Sequence, residues 1–179
     1  MFRGTTVRSF SEKLNALPEV KASGIICRLP SADEWKYACR AGCMGKYGLL
    51  ADGSEGHLDE MGWYRDNSVD MTHSVGQKKP NAFGLCDMHG NVCVWTSTAS
   101  DDADGDLRVY CGGCWFYGDG RCVSSDRNGF FSNSSYGFFG FRLASGRTEK
   151  QGELLGGKAR LCGSPARVSG VKSARSSAV

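Results

Sequence analysis

Pro80-Asn81-Ala82-Phe83-Gly84-Leu85-Cys86-Asp87-Met88-His89-Gly90-Asn91-Val92-Cys93-Val94-Trp95-Thr96 changes character part-way along. Up to Asn91 it is punctuated by glycine and polar residues, the mark of a loop. From Val92 to Trp95 it turns apolar and rich in strand formers, which predicts a short strand. His89 is the one histidine inside this stretch, and a lone histidine in a turn reads as structural rather than as an acid–base group.

Working outward, Leu29-Pro30-Ser31-Ala32-Asp33-Glu34-Trp35 holds an S-x-x-E capping box and opens a helix that runs through Arg40, with Gly42 as its stop. Trp35, Ala38 and Cys39 share one face of that helix and belong to the core. Further back, Val7, Phe10, Leu14 and Leu17 recur at helical spacing, with Thr5 or Thr6 as cap and Pro18 as terminator. Between residues 44 and 110 no helix is expected; Tyr47, Trp63, Tyr64 and Phe83 read as anchors that hold loops down. Two more strands are expected, Leu107-Arg108-Val109-Tyr110 and Phe139-Gly140-Phe141-Arg142-Leu143.

With 179 residues and 25 glycines, the chain suits one loop-rich domain over residues 5–145. Residues 146–179 carry little large apolar content and read as a basic, disordered tail. That segment carries a net charge of +5 against +3 for the whole chain, so the folded body is mildly acidic and nucleic-acid binding there is not expected. No stretch has the length of apolar sequence a membrane helix needs, and no signal peptide is visible, so a cytoplasmic setting is the default expectation. Nine cysteines, an odd number, imply at least one free thiol and favour a reducing compartment.

Four segments in order, 28–42, 80–96, Gly112-Gly113-Cys114-Trp115 and Gly140-Phe141-Arg142-Leu143-Ala144, resemble the formylglycine-generating-enzyme (sulfatase-modifying factor) domain of the C-type-lectin-like superfamily. The resemblance covers about residues 7–144, without the family's early strands. It implies an α+β fold with two short helices, a small twisted antiparallel sheet and much irregular loop. The enzymes of that family oxidise a cysteine to formylglycine with copper(I) held by two thiolates. Here Tyr117 stands where the first of those thiolates would be, and no cysteine lies between Trp115 and Arg121. Copper is therefore not expected. Cys114 replaces the motif serine and forms a C-x-x-C with Cys111, but an extended strand would point the two to opposite faces. Cys114 remains the one weak catalytic candidate.

From Val109 to Phe141 there is no Lys, Glu, Gln or Met, and every residue except Trp115 can be written with a codon ending in a pyrimidine. That pattern resembles the variable proteins of diversity-generating retroelements, some of which use this same domain. The mixture of Tyr and Phe with Ser, Gly, Asn and Asp is also that of a paratope. Adjacent aromatic pairs, Phe130-Phe131 and Phe138-Phe139, send one ring to each side of an extended chain, so part of the cluster must be exposed. The expected binding surface comprises Trp115, Phe116, Tyr117, Asp119 and Ser124, continuing through Asp126, Phe130, Phe131, Asn133 and Tyr136. A protein or glycan is the expected partner.

The resemblance also implies calcium, with a side-chain oxygen from Asp87 and the carbonyls of Gly90 and Val92; Val94 stands where the family has a glutamate ligand, so the site is expected to be weak. A second calcium loop matches loosely at Asn67-Ser68, while Asp66, Asp70 and the acidic run 101–106 read as solvated loop acids. No phosphate loop, G-x-S-x-G elbow or H-E-x-x-H helix is present. The leading expectation is a non-catalytic binding module, with a copper- or thiol-dependent oxidase and an incomplete, non-functional copy as the alternatives.

Overall fold

The computed structural model describes residues 4–100 and 106–147. Its elements are the helices α1 (Gly4–Ala16), α2 (Pro18–Ser23), α3 (Ala32–Arg40) and α4 (Leu58–Met61). The strands are β1 (Ile25–Arg28), β2 (Gly62–Trp63), β3 (His89–Gly90), β4 (Cys93–Ala99), β5 (Leu107–Cys111), β6 (Arg127–Phe131), β7 (Phe139–Gly140) and β8 (Ala144–Arg147). Four α-helices among the described residues exceed the two expected. Pro18 does not end the first helix; it occupies the first turn of a second one, where its missing N–H costs nothing. Thr5 and Thr6 lie inside α1. The single turn α4 is too short to leave a periodic signal.

Helix α3 forms as its sequence dictates. Ser31 Oγ accepts from the Glu34 amide at 3.1 Å while Glu34 returns a bond to the Ser31 amide at 2.8 Å. Arg28 grips the same carboxylate through both terminal nitrogens, each at 2.6 Å. The left-handed terminator is Ala41 (φ 49°) rather than Gly42. Asn81, buried, caps this end by donating to the carbonyls of Ala38 and Cys39 at 2.7 and 3.1 Å, which ties the 80–86 loop to the helix.

The central sheet has the order β6-β5-β4-β7 and is mixed, since β7 runs parallel to β4 while β5 and β6 are antiparallel. The antiparallel sheet expected is corrected accordingly, as is the strand 139–143, which stops at Gly140 before β8 begins. β4 and β5 alternate their side chains. Val94, Val109 and Cys111 face α3 and pack with Trp35, Cys39 and Met88. Cys93, Trp95, Tyr110 and Phe139 face the other way and form a second cluster with Cys114. Between Trp95 and Ala99 the β4–β5 register slips, and the Thr96 hydroxyl donates to the Val109 carbonyl at 2.8 Å across the irregularity.

β1 pairs antiparallel with β8, joining the two ends of the described fold. The strand pairing therefore runs through Gly146 and Arg147, past the boundary at 145 that composition gives. Asn15 of α1 occupies one edge of β1, bonding both the amide and the carbonyl of Cys27 at 2.8 and 2.7 Å. The expected tail from residue 148 onward, with Cys162, and the acids at 101–105 lie outside the described residues.

Candidate functional site: an aromatic face on the central sheet

The sheet face opposite α3 carries rings instead of a helix. Phe139, stacked on Trp95 with centroids 4.3 Å apart, is the buried floor. Over it Phe130, Tyr136 and Phe138 lie at centroid distances of 5.5, 6.3 and 4.6 Å. Tyr136 stacks on Phe138 at 5.2 Å, Phe138 meets Phe116 at 5.0 Å, and Phe116 meets both Trp115 and Tyr117, at 5.1 and 4.5 Å. Phe131 extends the row from Phe130 and is 52% exposed, and Tyr136 is 47% exposed. The array is rigid because its backbone is pinned. The Trp115 carbonyl accepts from Ser68 Oγ at 2.7 Å, and the Tyr117 carbonyl accepts from the Arg65 amide at 3.0 Å.

Trp115, Phe116, Tyr117, Phe130, Phe131 and Tyr136 thus join one continuous ring network, with Phe138 as the central ring that the sequence-based list omits. The signal for Phe138 was present: it is the outward partner of buried Phe139 in an adjacent pair. Arg121, whose guanidinium lies 5.2 Å from the Tyr117 centroid, was also missed. Asp119 and Asn133 are exposed. Ser124 is not part of the surface. It is 2% exposed, accepting from Arg40 Nε at 3.1 Å, because its segment folds back under the 45–46 loop. Asp126 turns inward too, accepting from Asn128 at 2.8 Å with Arg121 at 3.6 Å; burial pushes its carboxyl upward. Tyr117 is half-buried beside Tyr110, whose hydroxyl is raised by burial first and then by Tyr117, so it is both surface and support. Two grooves, of about 440 and 340 Å³, are lined by residues 45–57 and 33–44, and neither includes a residue of 115–139.

Cys111 packs on the α3 side and Cys114 on the aromatic side. The separation expected for this C-x-x-C holds, for a different reason: the chain is not extended there but turns through Gly112 (φ 94°) and Gly113 (φ 69°). The Cys114 carbonyl accepts from the Tyr117 amide at 3.0 Å, and Cys93 above all holds the Cys114 thiol below the usual range. Tyr117, at the expected copper position, brings a phenol. Among the described residues no three His, Cys, Asp or Glu side chains are grouped to hold a metal.

Asp87 adopts φ 56° and accepts from the Gly76 amide through Oδ2 at 2.7 Å; its Oδ1 is buried without a partner, a feature a cation would satisfy. Against that, Val94 is enclosed in the α3-side cluster and supplies no oxygen. A terminal nitrogen of Arg142 also donates to the carbonyls of Cys86 and Asp87 at 2.9 and 3.2 Å, placing a positive charge beside the loop. Calcium takes about 6–8 oxygens. One carboxylate and two carbonyls are an incomplete set, so the residues fit a calcium ion poorly.

His89 lies inside the core between the two loops that frame the site. Nδ1 donates to the Cys122 carbonyl at 2.7 Å, which can only accept; Nε2 therefore accepts from the Gly48 amide at 3.3 Å and faces Cys39 Sγ at 3.4 Å. Every polar atom of the ring is used, as the structural reading of this residue expects.

The model of the sulfatase-modifying factor enzyme 1-like domain matches residues 6–147. The chain belongs to this family. Within it, the chain is 33% identical over 140 residues to the inactive C-alpha-formylglycine-generating enzyme 2 of Bos taurus, covering 71% of this chain and 46% of that one. Among solved structures, Treponema denticola variable protein 1 aligns with a TM-score of 0.61 and 32% identity over 68% of this chain and 48% of its own. PvdO of Pseudomonas aeruginosa aligns with a TM-score of 0.66 and 25% identity, over 82% and 60%. This chain thus spans about half the length of the first two relatives. Its α+β architecture is of the formylglycine-generating-enzyme type, as the sequence motifs imply.

Proposed function

We propose that this chain is a non-catalytic binding module whose specificity is set by the 115–138 surface, diversified in the manner of retroelement variable proteins. The observation that carries the reading is the continuous row of half-exposed rings mounted on the sheet, with Tyr117 standing where the family resemblance implies the first copper thiolate. Likeness to an inactive relative and to a variable protein is consistent with it. A row of rings edged by Asp119, Arg121 and Asn133 offers aromatic anchors with an adaptable polar rim, which suits a folded protein or a glycan.

The test uses arrays of purified cell-surface proteins and of glycans. Spots bound by the wild-type chain and lost in Phe131→Ala/Tyr136→Ala, at an unchanged melting temperature, support the reading. The competing oxidase reading rests on the activated Cys114 thiol. Competitive copper(I) titration of the wild type and Cys114→Ser separates the two: tight stoichiometric binding lost in the variant would replace the module with an oxidase. Calcium at Asp87 with the Gly90 and Val92 carbonyls is proposed only as a weak accessory. A melting temperature that does not respond to millimolar calcium or to a chelator would remove it.

A further inference from the structure

We propose that Cys93 and Cys114 are a peroxide-responsive dithiol that closes to a disulfide beneath the aromatic face. The register of β4 on β5 pairs Val94 with Cys111, which brings Cys93 alongside the turn at 112–113. Two left-handed glycines then fold the chain back, so that Cys114 returns beneath the sheet face that Cys93 occupies. Both side chains are fully buried and pack in one cluster with Trp95, Tyr110 and Phe139. The other described thiols are disposed differently. Cys39 and Cys111 lie across the sheet, in the cluster beneath α3. Cys122 sits against Gly113.

Cys114 is the attacking member. Cys93 above all, together with the Phe116 and Tyr117 amides of the turn that follows, holds its thiol below the usual range, which favours the thiolate. Burial makes Cys93 the reluctant one, and it serves as the resolving thiol. Hydrogen peroxide is the oxidant, small enough to reach a buried pair during local opening. The Cys114 sulfur attacks one peroxide oxygen; an S–O bond forms, the O–O bond breaks, and hydroxide leaves with the thiol proton as water. Cys93 sulfur then displaces hydroxide from the sulfenic acid; the S–S bond forms, the S–O bond breaks, and the Cys93 proton leaves as a second water. Two thiols and one peroxide give one disulfide and two waters. The product covalently ties β4 to the segment that carries Trp115, Phe116 and Tyr117, so oxidation stiffens the proposed binding face.

The experiment treats the reduced full-length chain with hydrogen peroxide under native conditions, then alkylates, digests and maps linkages by tandem mass spectrometry. A Cys93–Cys114 link is expected in the wild type and in Cys111→Ser. Cys93→Ser should instead accumulate a sulfenic acid at Cys114 that dimedone traps. The oxidised wild type should melt several degrees higher than the reduced chain, because the link shortens the unfolded ensemble. A Cys114–Cys122 or Cys111–Cys114 link overturns the proposal. So does a chain in which Cys93 and Cys114 still alkylate on unfolding after Cys27 and Cys86 have oxidised. The wild-type map decides even if a variant does not fold, and its result is independent of what the aromatic face binds.

Discussion

His89 is held neutral by the company it keeps. Burial pushes its pKa down to about 4, and the Cys122 carbonyl offsets only part of that. The unfolded chain takes up the proton near pH 6.5, so between those values the unfolded state binds more protons than the native one. Stability is therefore complete above about pH 6.5 and falls as pH drops toward 4, by about 3 kcal/mol in total. Urea unfolding at pH 7.5, 5.5 and 4.5 should show that decline, with the His89 ring still neutral by NMR at pH 5.5. A native imidazole titrating near 6.5 would sink the assignment. Glu34 acts in a lower window: Arg28 above all holds its carboxyl at about 2, so its contribution persists until pH falls below the usual carboxylate range. That residue is largely exposed, and solvent screening keeps its share small.

At the scale of elements, α3 is the piece most directly written in the sequence. Its capping box, its buried face of Trp35 and Cys39 and its end near Arg40 all follow from local chemistry. Ser31→Ala removes the bond to the Glu34 amide and is expected to cost about 1 kcal/mol, read as a lower urea midpoint with an unchanged slope. A loss below about 0.3 kcal/mol would mean that the Arg28–Glu34 pair alone fixes the helix start. What the sequence hid is non-local. β6 carries Arg127, Asn128 and Gly129 ahead of its two phenylalanines and is a strand because β5 is beside it, pairing Leu107 with Phe131 through Cys111 with Arg127. Ser124 was misplaced for the same reason. Its hydroxyl reads as surface in sequence, but its neighbour Arg40 lies 84 residues away. The aromatic row, by contrast, was legible, because adjacent ring pairs cannot hide both members in an extended chain.

Across the whole molecule the two faces of one sheet divide the labour. The α3 side and the floor of the aromatic side are buried, while the outer rings and their polar neighbours are half-buried or exposed. This separation predicts opposite responses to mutation. A chain carrying Ser at 119, 127, 131, 133 and 136 together changes positions that are all exposed, and the Arg127–Asp33 pair it removes spans 3.8 Å in solvent. Such substitutions cost roughly 0.5 kcal/mol or less apiece, about 2.5 kcal/mol at most together, so its melting temperature should fall by no more than about 10 °C, by differential scanning calorimetry. Its wild-type array spots should be lost. Trp95→Ala, on the buried side of the same array, should cost about 3–5 kcal/mol, a large part of the ~5–15 kcal/mol that holds a domain together. If the five-serine chain melts as early as Trp95→Ala, the outer rings are core, and a diversified binding face would be incompatible with keeping the fold.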